Sequence, residues 1–107
     1  MIDLTQSDAC RDVSRRFIRS FLDITIICML SKEPLWGYQI MTVLKDTYGV
    51  KVGPSTIYPL LGSMEEGSLI EVEEVQMGRR TRKIYRTTEE GTWLVKCLEN
   101  VVSEIIG

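Results

Sequence analysis

The sequence predicts a single α+β domain, mostly helical, in which three helices are followed by a β-hairpin and a fourth helix. Four segments carry apolar residues at helical spacing, which is the main signal for amphipathic helices. One stretch alternates apolar and polar residues around a strongly basic tip, as half-buried strands do. With 107 residues, 44% of them hydrophobic and 26% charged, the chain has the size and composition of one soluble globular domain, 1–107.

The first helix is predicted over about residues 11–32, after a polar segment, 1–10, that we expect to be a mobile arm. Asp8 is one candidate for its N-cap. Beyond Phe21 the segment is apolar nearly all round, so it must be covered on more than one side. Pro34 ends the helix, because the residue before a proline avoids the α region.

The second helix is predicted from about Gly37 to Tyr48, with Gly49 at the position where a left-handed residue commonly ends a helix. Trp36 and Tyr38 flank its start. Its apolar stripe predicts one buried face, formed by Ile40, Val43 and Leu44.

The third helix is predicted to start at Ser55 or Thr56, whose hydroxyl would cap an otherwise unpaired backbone N–H. Pro59 is tolerated because it falls in the first turn. Apolar residues recur three and four positions apart up to a closing glycine, Gly67. They predict one buried stripe of Ile57, Leu60, Leu61 and Met64.

The β-hairpin is predicted from a strand at Leu69–Val75 and its return at Lys83–Thr87. The residues between them, 76–82, are expected to form the tip, with Gly78 in the turn. Five basic residues and no acidic ones lie between positions 78 and 86, whereas acidic residues crowd the segment just before. A net charge of −2 therefore conceals a basic patch, and a phosphate responds to the local patch over a Debye length of about 8–10 Å.

The last helix is predicted to open with a capping box of Thr87 and Glu90. Its apolar arc is wider than one stripe, and such a surface on a small domain needs a second body to cover it. We therefore predict a dimer through this helix, 88–107, assisted by the first helix. The predicted interface residues are Phe17, Phe21, Leu94, Leu98, Val101, Val102 and Ile105.

The composition disfavours an enzyme, a metal site and a cofactor. The chain has no histidine, which removes the commonest general base and metal ligand. Its three cysteines show no metal-binding or disulfide spacing. The longest apolar run is far too short to span a bilayer, and the acidic N-terminus does not resemble a signal peptide. We expect a cytoplasmic protein.

The order of these elements is that of a winged helix-turn-helix, with the core over 11–87. The motifs are PLWGYQI at Pro34–Ile40, GPSTIYPLL at Gly53–Leu61, the helix end from Glu65 to Ile70, and GRRTRKIYRTTEEG at Gly78–Gly91. Taken in this order, they resemble the PadR family of winged-helix transcriptional regulators, in its short form with one C-terminal dimerisation helix. The resemblance covers roughly residues 21–98. It implies a homodimer that represses transcription at a near-palindromic operator and is released by a small ligand.

Through this resemblance, the start of the third helix is expected to read DNA and the hairpin to act as a wing on phosphates and the minor groove. The candidate DNA-binding residues are Tyr38, Ser55, Thr56, Tyr58, Pro59, Ser63, Arg79, Arg80, Arg82 and Lys83. The chain departs from the family pattern in one respect, because the exposed face of the third helix has no Arg, Lys, Asn or Gln. These are the side chains that make bidentate base contacts, so more of the readout is expected from phosphates and DNA shape.

Two further questions stay open at the level of sequence. A winged-helix protein-interaction module would keep this fold and use the acidic region Glu65–Glu74 as its working surface. Trp93 is a candidate for stacking a small aromatic ligand at the dimer interface, although packing in the core or in an interface also accounts for it.

Overall fold

The computed structural model describes residues 7–107 and has the predicted order of three helical regions, a hairpin and a last helix. The described elements are α1 (Asp8–Ser20), α2 (Leu22–Lys32), β1 (Leu35–Trp36), α3 (Gly37–Tyr48), α4 (Pro54–Glu66), β2 (Ile70–Met77), β3 (Arg80–Thr87) and α5 (Glu89–Ile106). Most of the predicted arm, residues 1–6, lies outside the described part of the chain.

The predicted first helix is two helices, α1 and α2, and this prediction was wrong. The break lies at Phe21, whose backbone angles (φ −124°, ψ 49°) are not helical. The N-cap of α1 is Ser7 rather than Asp8, because the Cys10 N–H donates to Ser7 Oγ at 3.0 Å. The break separates two different surfaces, since α1 buries only Ile18 whereas α2 is buried along most of its length.

A three-stranded antiparallel sheet, in the order β1-β3-β2, carries the wing. The short strand β1 was not predicted, and it pairs Leu35 with Tyr85 and Trp36 with Ile84. The core between the sheet and the helices includes most of the predicted stripes of α3 and α4, whereas Val43 and Leu60 are only partly buried against it. Its buried hydrophobic residues are Ile18, Ile26, Ile27, Met29, Leu30, Leu35, Ile40, Leu44, Val50, Ile57, Leu61, Met64, Ile70 and Tyr85.

Two helix starts differ from the prediction. The N-cap of α4 is Gly53 rather than Ser55 or Thr56, and no side chain caps this helix. Because α4 already begins at Pro54, Pro59 lies inside the helix in its second turn, and the prediction that it falls in the first turn was wrong. The N-cap of α5 is Thr88 rather than Thr87, and its Oγ1 accepts the Gly91 N–H at 3.1 Å. The shift arises because Thr87 is still paired in β3, opposite Ile70, so the next residue is the first that can cap the helix.

Glycines end two of the helices as predicted. Gly49 follows α3 in the left-handed region (φ 68°), and Gly67 follows α4. Within residues 7–107, no helix combines the length and the hydropathy that crossing a membrane requires.

Candidate nucleic-acid interface

The exposed face of α4 carries the predicted reading residues. Ile57, Leu61 and Met64 turn into the core, which leaves the opposite face of the helix in solvent. The first turn starts at Pro54 with no side-chain cap, so its N–H groups form the positive end of the helix dipole and favour an anion. The predicted residues on the exposed face are Ser55, Thr56, Tyr58, Pro59 and Ser63.

The wing is longer and its tip is tighter than predicted. β2 and β3 pair from Ile70–Thr87 out to Met77–Arg80, so only Gly78 and Arg79 remain in the turn. Gly78 has a positive φ of 65°, as two-residue hairpin turns require. Two of the basic residues that were predicted in the tip, Arg80 and Arg82, therefore lie on a strand, as Lys83 does.

The basic residues of the wing divide into compensated and uncompensated ones. Arg86 donates to a Glu73 carboxylate oxygen at 2.7 Å, so its charge is balanced within the sheet. Among residues 7–107, no carboxylate lies within 4.0 Å of the other four cations of the wing. Arg79, Arg80, Arg82 and Lys83 thus form the positive surface of the hairpin.

An open groove of about 400 Å³ joins the wing to the helices. Inside it the Arg82 guanidinium carbon lies 3.3 Å from the centroid of the Trp36 ring, and the Trp36 and Tyr38 rings are 5.9 Å apart. The stack follows from the strand register, because Trp36 pairs with Ile84 and Arg82 is the diagonal neighbour on the same face. The groove is lined by Trp36, Gly37, Tyr38, Tyr58, Arg80, Thr81, Arg82 and Lys83.

Gly37 lets Tyr58 of α4 lie directly against the start of α3. A Cβ at Gly37 would stand 2.6 Å from the Tyr58 hydroxyl oxygen and 2.8 Å from two ring carbons. The Tyr58 ring is still 45% exposed. Sequence reasoning included both tyrosines but missed Trp36 and Gly37 as parts of this site, although the Trp-Gly-Tyr triplet at a helix start was a signal for them.

The underside of the site is neutral and buried. Tyr85 of β3 is a core residue, and burial is the main cause that raises the pKa of its phenol, followed by the neighbouring Tyr58 and Glu65. A protonated phenol leaves the cations of the wing as the local charge.

A second surface is apolar and lies on α1 and α5. Phe17 and Phe21 are exposed although their rings are in contact, with centroids 5.1 Å apart. On α5, Leu94 and Leu98 are partly buried, and Leu94 packs against the core of its own chain. The exposed members of the predicted interface are Phe17, Phe21, Val101, Val102 and Ile105.

Trp93 does not pack in the core, since 65% of its surface is exposed. The Lys96 ammonium lies 5.7 Å from the centroid of its ring. The side chain borders an open hollow of about 300 Å³ whose lining comes from α5 alone: Trp93, Lys96, Cys97, Asn100, Val101 and Glu104.

Comparison with known proteins shows that this chain is similar to regulators of transcription. Residues 26–96 match the family described as Transcriptional regulator PadR-like family. The transcriptional regulator Rv3488 of Mycobacterium tuberculosis is 31% identical over 97 residues, which cover 87% of this chain and 90% of that protein.

Two solved structures are similar to this chain in both fold and sequence. A PadR-like transcription factor from Bacteroides fragilis has a TM-score of 0.76 at 28% identity, covering 88% of this chain and 91% of that one. Bacillus subtilis PadR in complex with operator DNA has a TM-score of 0.67 at 26% identity, covering 72% of this chain and 45% of that one.

Proposed function

Since this chain belongs to the PadR family of transcriptional regulators, we propose that it binds operator DNA as a homodimer and represses transcription there. One observation carries the proposal. Tyr58 of α4 and the uncompensated cations of β3 line the same groove, so the helix and the wing present their polar groups to one ligand. The B. subtilis PadR structure holds operator DNA, and its similarity to this chain supports the same ligand here.

In this proposal α4 enters the major groove and the wing follows the adjacent backbone. Phosphates and base edges meet the hydroxyls and N–H groups at the start of α4, together with Tyr38 from the start of α3. The proposed contacts of α4 are Ser55, Thr56, Tyr58, Pro59 and Ser63, of which Pro59 can contribute only apolar contact. Arg79, Arg80, Arg82 and Lys83 contact phosphates and the minor groove, where guanidinium groups bind well.

Sequence discrimination in this complex relies on DNA shape more than on bidentate base contacts. The face of α4 from Ser55 to Glu66 contains none of the side chains that make such contacts, each of which contributes about 1–3 kcal/mol. Arginines of the wing can instead select a narrow minor groove. Operators of this protein should therefore share flexible or A·T-rich steps more than a strict base pattern.

The proposed homodimer forms through the apolar surface on α1 and α5. Phe17, Phe21, Val101, Val102 and Ile105 are all exposed in the single chain. Burial of each such side chain contributes roughly 1.5–3 kcal/mol before the cost of association. Leu94 and Leu98 support the interface from the partly buried side of α5.

A small aromatic ligand that stacks on Trp93 is the proposed effector. The hollow beside Trp93 is open on one chain, and a second α5 would close it. Titration of flat aromatic compounds should quench indole fluorescence in the wild type but not in Trp93→Phe, in which Trp36 is the remaining indole. Quenching of equal size in both proteins would exclude Trp93 as the ligand site.

The first experiment is a gel-shift titration with the DNA upstream of the protein's own gene, at two salt concentrations and with random DNA as competitor. Discrete complexes that survive competition support a specific regulator, and a reporter driven by that DNA then tests repression. Salt-labile binding without sequence preference would indicate an architectural role. No binding at low salt would reject the DNA-binding proposal in favour of a protein-interaction module.

A further inference from the structure

The groove beside the wing holds one guanidinium in place before any ligand is present. Arg82 lies face to face with the Trp36 ring at 3.3 Å, and both side chains are half-buried. Arg79 and Arg80, in contrast, are exposed. A ring that covers the face of a guanidinium leaves the N–H donors along its edge available to an anion.

Trp36 is itself fixed by contacts of its backbone. Its N–H donates to Gln39 Oε1 of α3 at 3.0 Å, and the residue pairs with Ile84 in the sheet. The backbone of Trp36 is therefore held independently of Arg82, and its indole also lies beside the Tyr38 ring, with centroids 5.9 Å apart. We therefore take Trp36 as the supporting side chain of the stack and Arg82 as the side chain that it holds.

The chemistry of the groove suits a phosphodiester group. Aromatic rings line one side, and three cations line the other: Arg80, Arg82 and Lys83. The lining contains no carboxylate. Within the described chain β1 is only two residues long, so β3 at residues 80–83 is paired with β2 alone, and its other edge leaves the groove open there. A DNA backbone can therefore pass along the groove.

We propose that Trp36 is a positioning residue for DNA binding. It holds Arg82 so that the guanidinium receives one phosphodiester group of the bound strand in this groove, and Trp36 acts without contacting the DNA itself. The inference rests on the proposed function, and it assigns different tasks to the arginines of the wing. Arg82 clamps the backbone, whereas Arg79 at the turn is left to enter the minor groove.

The test is a double-mutant cycle measured as affinity against salt concentration on one DNA fragment. The variants are Arg82→Ala, Trp36→Leu, their combination, and Trp36→Phe as the conservative replacement. Arg86→Ala is the matched control, because Arg86 lies on the same strand and face but is paired with Glu73. Thermal unfolding of each variant establishes that it folds.

Arg82→Ala should lower the slope of log affinity against log salt by about one, since one phosphate contact is lost. Trp36→Leu should weaken binding about two- to fivefold when Arg82 is present and leave affinity unchanged in the Arg82→Ala background. Trp36→Phe should restore most of the affinity, because another ring replaces the indole. Arg86→Ala should match the wild type.

Equal losses from Trp36→Leu with and without Arg82 would overturn the positioning role, as would an unchanged salt slope in Arg82→Ala. If Trp36→Leu fails to fold, the affinity of Trp36→Phe still tests the positioning role. The slope of log affinity against log salt in Arg82→Ala still tests the phosphate contact. A wild-type protein that binds no DNA would instead reject the proposed function, which separates the two failures.

Discussion

Replacement of glycine by alanine should have opposite effects on stability at Gly91 and at Gly62. A Cβ at Gly91, in the first turn of α5, would overlap the carbonyl oxygen of Leu69 and stand 3.2 Å from its carbonyl carbon. Backbone atoms do not move aside as a side-chain tip does, so Gly91→Ala should lower the free energy of unfolding by about 1–3 kcal/mol. At Gly62 a Cβ would meet no atom within 4 Å. Gly62→Ala should therefore raise that free energy by about 0.8–1 kcal/mol.

Urea unfolding of the two variants beside the wild type measures both effects on one scale. Each variant serves as the control for the other, because each adds one methyl group within a helix. A Gly91→Ala protein as stable as the wild type would show that α5 can move away from Leu69.

At the scale of residues, sequence patterns predicted the exposed faces of helices more accurately than the contacts between individual side chains. The apolar stripe of α4 placed Ser55 and Tyr58 correctly on the solvent side. The caps were displaced because a cap depends on where the preceding segment ends: Thr87 is still paired in β3, so Thr88 caps α5. The contact of Trp36 with Arg82 joins residues far apart in the chain, and no local pattern encodes such a pair.

At the scale of elements, the sequence predicted every element that has a long periodic signal. It missed the break at Phe21, since the apolar pattern continues across that residue and neither proline nor glycine marks it. It also missed β1, which is two residues long and forms only because β3 offers it an edge. The two-residue turn at Gly78 appeared longer in sequence, because charged residues on a strand resemble loop residues.

The wing as an element predicts a strong dependence of DNA binding on salt. Replacement of both Arg79 and Arg80 by alanine removes two uncompensated cations, and each lost phosphate contact lowers the log–log slope by about 0.9. Binding should weaken for all DNA sequences, as measured by fluorescence anisotropy over a range of salt concentrations.

The control for the wing is a pair of arginines on α1, replaced together as Arg11→Ala and Arg16→Ala. It changes the net charge by the same amount, but Arg11 is paired with Asp8 and Arg16 with Asp12. Unchanged affinity and slope in the Arg79 and Arg80 double variant would contradict the assignment of the wing.

The exposed apolar residues of α5 predict a dimer. A single charge placed among them should dissociate it. Ile105 of α5 is 78% exposed, and Ile105→Asp would place a carboxylate within the proposed apolar interface. Sedimentation should then show a monomer at concentrations at which the wild type is dimeric. Ser103→Asp, two residues away and on the opposite side of the helix, is the matched control and should stay dimeric. A dimeric Ile105→Asp protein would place the interface elsewhere.

At the scale of the whole molecule, the arrangement of charge matters more than its sum. The net charge is −2, yet the acidic residues of β2 lie partly neutralised beside Arg86 whereas the far end of the hairpin is cationic. The molecule extends over 46 × 28 × 23 Å, several Debye lengths at physiological salt. A ligand at the wing is thus screened from acidic residues in remote parts of the molecule, whereas Glu74, the register partner of Lys83, stays close to it.

Stability of the whole molecule should fall as the solution becomes alkaline. Burial is the main cause that raises the pKa of Tyr85, with smaller contributions from Tyr58 and Glu65. Burial also raises the pKa of the Cys28 thiol, which Lys32 opposes and Glu99 reinforces. A raised pKa means that the folded state binds the proton more tightly, so the stabilisation is complete below the unfolded pKa and is lost as the pH rises above it.

In the unfolded chain these groups titrate near pH 8.5 for cysteine and near pH 10 for tyrosine. The urea midpoint should therefore begin to fall above about pH 8.5 and fall further above about pH 10. Cys28→Ala should reduce the first part of the decrease and Tyr85→Phe the second. A wild-type midpoint that stays constant or rises from pH 8 to pH 11 would contradict the linkage, because the buried Tyr85 and the half-buried Cys28 both hold their protons more tightly in the folded state.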